Sequence, residues 1–157
     1  MTDIFLHLDA IDGEAVIPQF KGQIEVASVS SGVYMPTPTG SGSFLSEVIP
    51  AAHRPVITKP MDSASVKLAQ ALLTGTPLAN GVISFWDPAR ALVYLTINLE
   101  YVYVSDIESV ASGTNDRPHE QVTLAVARIR WTYTRKNPDG TTSKTAFGWD
   151  FTLGRSI

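Results

Sequence analysis

Three histidines, His7, His53 and His119, are the first residues to test for chemistry in this 157-residue chain. No two stand at i, i+3 or i+4, so no local zinc pair is encoded. Each reads as an ordinary strand or strand-end residue. Asp9, Asp12, Gly13 and Glu14 have the residue types of a calcium loop but miss its D-x-[DN]-x-[DN]-G spacing, so they read as a solvated turn. The stretch TGSGSF (39–44) has two glycines without the Gly-Lys-Ser/Thr of a phosphate loop, and reads as a loop tip. Asp106 and Glu108 have the spacing of strand neighbours, and nothing marks either for catalysis. Trp86, Trp131 and Trp149 could stack on a ligand, but core or interface packing is the simpler role. There is no G-x-S-x-G elbow and no cysteine, which excludes disulfides, thiol nucleophiles and thiolate metal sites. No catalytic, metal-binding or cofactor-binding residue is therefore expected, and the chain does not read as an enzyme.

The composition narrows the classes further. The net charge is −3, which gives no basic field for nucleic acid. Charged residues make up 17% and hydrophobic ones 44%. The charged share lies below the ~25% usual in soluble domains, which suggests a partly apolar surface and an oligomer. The start, MTDIFLHLD, is followed by no Lys or Arg before Lys21, and its apolar run is broken by His7 and ends at Asp9. It is too short and too acidic for a secretory signal. It is also far short of the ~20 apolar residues that span a bilayer, so no membrane insertion is expected. The length suits one domain, residues 1–157, since domains run to roughly 100–200 residues.

Alternation of Ile4, Leu6 and Leu8 predicts a first strand. QIEVASVS (23–30) predicts a second. Glycines and prolines from Gly32 onward make a regular element unexpected there, and 36–50 reads as a long extended loop. HRPVITKP (53–60) predicts a short strand near an edge, because of its prolines. DSASVKLAQALL (62–73) predicts the one helix. Asp62 or Ser63 would cap it, Val66, Leu68, Ala69, Leu72 and Leu73 would form its apolar stripe, and Gly75 would stop it. GVISFWD (81–87) reads as a strand. In 91–104 the residues Val93, Leu95, Ile97, Leu99, Tyr101 and Tyr103 share one face. SGTNDRP (112–118) reads as a loop. In 119–135 the apolar parity changes, from Val122, Leu124 and Val126 to Ile129, Trp131 and Tyr133. That predicts a bulge or bend near Ala127–Arg128, or else burial of both faces. Asp139 and Gly140 would supply the positive-φ positions of a hairpin turn before the last strand, 143–153. The fold class is mainly β with one helix, and a closed or nearly closed barrel would hide the strand edges.

Several stretches together, in order, carry a resemblance: DIFLHLDAIDGEA, KGQIEVASVSSG, ITKPMDSASVKLAQALLTG, HEQVTLAVARIRWTY and FGWDF. They resemble the hemolysin-coregulated proteins, Hcp, the tube proteins of bacterial type VI secretion systems. The resemblance covers nearly the whole chain. Val29 and Ser31 stand where many members carry aromatics. The resemblance implies a compact β-barrel of two antiparallel sheets with one flanking helix. It also implies a structural role: homohexameric rings that stack into a hollow tube, which a contractile sheath expels behind a spike from a baseplate. Small effectors would be sheltered in the lumen. Such a protein assembles in the bacterial cytoplasm and leaves the cell without a signal peptide. The alternative is a tail-tube subunit of a phage or phage-like contractile particle, which shares this architecture. A toxin-bearing member would need an added domain, and the chain ends soon after its last strand.

Several site expectations follow from the resemblance and the pattern together. Ile129, Trp131 and Tyr133 are candidates for the subunit interface. Ser28 and Ser30 either line a wet lumen or sit in the core with backbone partners. Phe44, Leu45, Val48 and Ile49, in the 36–50 loop, either contact the next ring in the stack or fold back over their own sheet edge.

Overall fold

The alternating start forms β1, Asp3–Leu8, with Phe5, Leu6 and Leu8 buried. The computed structural model describes residues 1–36, 49–113 and 117–157. A short 3-10 turn at Pro18–Phe20 precedes β2, Ile24–Val26, and β3, Ser28–Tyr34. The strand expected at 23–30 thus breaks at Ala27 and runs on through Gly32 to Tyr34. Then come β4 (Ala51–Pro60), helix α1 (Ala64–Thr74) and β5 (Leu78–Asp87). The chain ends with β6 (Leu92–Val110), β7 (His119–Lys136), β8 (Thr142–Asp150) and the short β9 (Arg155–Ser156).

These strands form one antiparallel sheet in the order β2-β1-β5-β6-β7-β4-β3, with β8 added along β7 and β9 along β8. The mainly β fold with one helix agrees with the sequence reading. The hydrogen-bonded path, however, is a single sheet rather than two, and it is not closed. Its two outer strands, β2 and β3, are consecutive pieces of one run joined at Ala27, whose N–H donates to the Thr58 carbonyl of β4 at 2.8 Å. The core lies inside this curved sheet, around Leu6, Ile24, Ile57, Leu68, Ile83, Leu99 and Leu124.

β4 is an interior strand, paired with β3 and β7, and not the edge that its prolines suggested. The register explains the tolerance. Ser30 faces Val56 and Gly32 faces His53, so Ser31 alone stands opposite Arg54 and Pro55. Pro55 occupies a bulge, where a missing N–H interrupts no ladder bond.

Helix α1 starts where Asp62 accepts the Ala64 N–H at 3.0 Å, so Asp62 is the capping side chain. It stops at Gly75, whose φ of 64° suits glycine, with the Thr76 N–H closing onto the Ala71 carbonyl at 3.0 Å. Its buried face is Ala64, Ser65, Leu68 and Ala71. At ~100° per residue Val66 lies opposite Leu68, and Val66 and Leu73 are exposed, outside the expected stripe.

The expected change of faces in β7 is present. β7 pairs with β4 only through Thr123, and takes β8 as its partner from Arg128 onward. The matching change in β6 was not anticipated. Tyr101 and Tyr103 point outward while Val102 and Val104 are buried. The switch sits at Tyr101, whose φ is +56°, between the pairs Glu100–Arg128 and Val102–Val126. A left-handed residue turns the strand over, so both long strands exchange faces at the same level. In the β7–β8 turn Gly140 has φ +87°, whereas Asp139 does not take a positive φ as expected. Instead it accepts the Thr141 N–H and hydroxyl at 3.0 and 2.6 Å. Those bonds, the hydroxyl foremost, hold its carboxyl below its usual pKa.

Candidate functional site: the two faces of a four-stranded wall

Strands β3, β4, β7 and β6 lie side by side and form a wall. Directly opposed residues in antiparallel strands share a face. One face therefore carries the row Ser28, Thr58, Gln121, Glu108 and the next row Ser30, Val56, Thr123, Asp106. Ser28, Ser30, Gln121, Glu108 and Asp106 are exposed on it. The alternate row, Val29, Ile57, Val122 and Ile107, belongs to the core or packs on it. Of the two readings for Ser28 and Ser30, burial in the core is thus set aside. Beside Asp106 the ladder slips by one residue, and the extra Ser105 donates its hydroxyl to the Thr123 carbonyl at 3.1 Å. Among the described residues, the side chains of Ser28, Ser30, Thr58, Gln121, Asp106 and Glu108 hydrogen-bond or ion-pair with no protein group.

The inner face of the same wall is the reverse. Lys59 of β4 stands opposite Glu120 of β7, both buried. The Lys59 ammonium lies 2.6 Å from Glu120 Oε1 and 2.8 Å from Asp62 Oδ1. It also donates to the Ser65 hydroxyl at 3.2 Å, which in turn donates to Glu120 Oε1 at 2.7 Å. The Asp62 N–H donates to Ser65 Oγ at 3.0 Å. The group joins β4, β7 and the first turn of α1. Burying a charge is tolerable only when it is paired and bonded this fully. Sequence reasoning missed this group, although a signal was present. Lys59 has the parity of Ile57, and Glu120 that of Val122 and Leu124, so two opposite charges stand at core-facing positions.

A second ionic group lies where the long strands change faces. Arg128 donates through Nε to Asp150 at 2.7 Å and through Nη1 to Glu100 at 3.2 Å, and lies 5.3 Å from the Tyr101 ring centroid. These bonds, the one to Asp150 foremost, raise its pKa. Asp150 ends β8 and builds the turn beyond it. Its Oδ1 accepts the Thr152 hydroxyl at 2.6 Å and the Thr152 and Leu153 N–H groups at 2.8 and 3.0 Å. The Thr152 hydroxyl first, then Arg128, hold its carboxyl well below the usual carboxylate range, against the opposing effect of burial.

An apolar hollow of about 420 Å³ is lined by Val33, Pro50, Trp131, Phe147, Trp149 and Phe151. The indole N–H of Trp149 is buried with no hydrogen-bond partner among the described residues. Of the interface candidates, Trp131 lines this hollow. Tyr133 is 51% exposed, edge-on to Tyr94 with ring centroids 6.4 Å apart. Ile129 is 2% exposed and packs in the core of its own chain, because the change of faces turns it inward. Ile49 is 68% exposed, whereas Phe44, Leu45 and Val48 lie outside the described residues. His7 lies 3.5 Å from Asp9, His53 stacks on Tyr34 at 4.7 Å, and His119 is exposed at the start of β7. Among the described residues no three His, Cys, Asp or Glu side chains are grouped to hold a metal ion, and no helix is long and apolar enough to cross a membrane.

Residues 5–133 match the family described as "Type VI secretion system effector, Hcp". Among solved structures, one titled a type six secretion system protein is 26% identical, with a TM-score of 0.90 over 100% of both chains. Hcp1 from Salmonella typhimurium is 24% identical, with a TM-score of 0.83 over 99% of both chains. Hcp1 from the E. coli EAEC 042 pathovar is 25% identical, with a TM-score of 0.68 over 92% of this chain and 97% of its own. No curated protein sequence matches. Matched over most of its length by the family and over its whole fold by these structures, the chain belongs to the Hcp family, the tube proteins of type VI secretion.

Proposed function

We propose that copies of this chain close into a hexameric ring, that rings stack into the expelled tube, and that the face bearing Ser28 and Ser30 lines a lumen holding small effectors. The observation that carries this reading is the four-stranded wall, polar outside and apolar inside, with two unpaired margins. β3 pairs only with β4, and β6 beyond Val102 pairs only with β7 among the described residues. Unpaired strand edges are templates for another chain. A contact between two different edges is head-to-tail, the kind that closes into rings. The number six comes from the family. Trp131 and Tyr133, with the apolar hollow, face a neighbouring subunit, while Ile129, on the same face of β7, packs in the core of its own chain. Residues 36–50, with Phe44, Leu45, Val48 and Ile49, contact the next ring. The sheath, spike and baseplate are the machine's other parts. Assembly takes place in the bacterial cytoplasm before expulsion.

Electron microscopy and light scattering on the purified protein test the ring directly. Rings are expected, and monomer alone across a wide concentration range overturns the reading. Replacing 38–47 with a short Gly-Ser link leaves rings intact and abolishes stacking. If the rings fall apart, that segment serves the barrel instead. In this reading the histidines are structural. A hydrolytic activity lost on alanine substitution of His7, His53 or His119 would contradict it.

A further inference from the structure

The proposed lumen face carries a charge pattern that the core-facing side does not. Glu108 and Asp106 end two successive rows whose other members are Ser28, Thr58 and Gln121, then Ser30, Val56 and Thr123. Neither row contains a lysine or arginine. On β4, Lys59 is turned to the inner face, and the exposed Arg54 stands at the bulge next to these rows. Both carboxylates are exposed and pair with no cation among the described residues. On the inner side, by contrast, Glu120 and Asp62 both contact the Lys59 ammonium. Beside the carboxylates lie hydroxyl and amide groups that also have no partner among the described residues. These two rows form a hydrogen-bonding surface whose only charges are carboxylates.

We infer that this face selects cargo with a basic, hydrogen-bonding surface. The inference rests on the reading of the Ser28–Ser30 face as the lumen wall. Ring symmetry would repeat Asp106 and Glu108 in every copy, giving two closely spaced annuli of carboxylates on the lumen wall. Clefts lined by one sign of charge focus the field and raise the local concentration of the opposite charge. Rings of carboxylates act in this way where they line cation pores. Serine, threonine and glutamine add contacts without setting a sequence requirement, so the selection is by charge and size. Acidic proteins and nucleic acid are excluded by the same field.

The test uses rings of the full chain and one small basic protein, cytochrome c, in its native and its succinylated, acidic form. At low salt native cytochrome c is expected to be retained about tenfold better than the succinylated form, with the difference fading as salt screens it. Asp106→Asn with Glu108→Gln should remove the preference while electron microscopy still finds rings. Asp12→Asn with Glu14→Gln, an equal loss of charge on the loop after β1, should leave it in place. Equal retention of the two forms by intact rings overturns the inference and leaves the tube reading standing. So does a preference that survives the Asp106/Glu108 change, or one that the Asp12/Glu14 change removes. If the unaltered protein forms no rings, the lumen and this inference fall together.

Discussion

Glu108 and Glu120 stand within one step of each other across the β6–β7 ladder, on opposite faces of the same wall. Glu108 pairs in register with Gln121, and Glu120 with Ser109. Glu120 is sealed inside, bonded to Lys59 and Ser65. Glu108 is outside and unpaired. The hydroxyls divide in the same way, with Ser65 bonded on the inside and Ser28 and Ser30 unbonded on the outside. Charges that hold the fold together are matched within the chain. Asp106 and Glu108 on the wall's outer face meet no cation among the described residues.

The largest expected effect comes from unsealing the inner face. Lys59→Met leaves Glu120 and Asp62 buried without their cation and should lower stability by about 3–5 kcal/mol in urea unfolding. Replacing the pair together, Lys59→Met with Glu120→Leu, should recover part of that loss, since Glu120 no longer lies buried without a cation while Asp62 keeps only the Ala64 N–H. A loss below about 1 kcal/mol for the single change would mean that water reaches the group and that the contrast between the faces is weaker than drawn.

A smaller effect separates the half-open group at the change of faces. The folded Asp150 carboxyl is held below its ordinary value of about 4. A depressed carboxyl adds stability that is present above its unfolded pKa and lost as pH falls toward its folded one. Thermal unfolding followed from about pH 6 down to about pH 2 should therefore lose stability in the unaltered chain. Asp150→Asn should be less stable at the upper end and flatter toward acid. Parallel curves for the two proteins would mean that Asp150 is not tied down by Thr152 and Arg128.

The outer face should respond least. Ser30→Gln and Glu108→Gln should each change stability by no more than about 0.5 kcal/mol, as surface changes do. Ser30→Gln should nevertheless reduce cargo retention by intact rings. A loss of several kcal/mol at either position would place it in the fold rather than in the lumen.

How far the sequence revealed this wall depends on which rows are asked about. The helix was legible from Asp62 to Gly75 because cap, period and stop agree, although its exposed Val66 and Leu73 looked like core. The change of faces in β7 was legible because Val122 and Leu124 differ in parity from Ile129 and Trp131. The same change in β6 was hidden. Tyr101, Val102, Tyr103 and Val104 are apolar at both parities, so alternation could not mark Tyr101. The prolines of β4 suggested an edge because a bulge depends on pairing with β3, which a strand's own sequence does not state. The rows joining Ser28 to Glu108 were out of reach for the same reason. They depend on the registers of three ladders between distant segments. Lys59 and Glu120 were readable only as charges at core-facing positions, and only their pairing explains why they are tolerated.

The claim that matters most is that the Ser28–Ser30 face turns inward in a ring. The chain has no cysteine, so Ser30→Cys provides a single site for a gold-tagged maleimide. Electron microscopy of labelled rings then locates residue 30 directly. Gold at the centre of the ring is the predicted result, and gold on the outer rim of intact rings would contradict it.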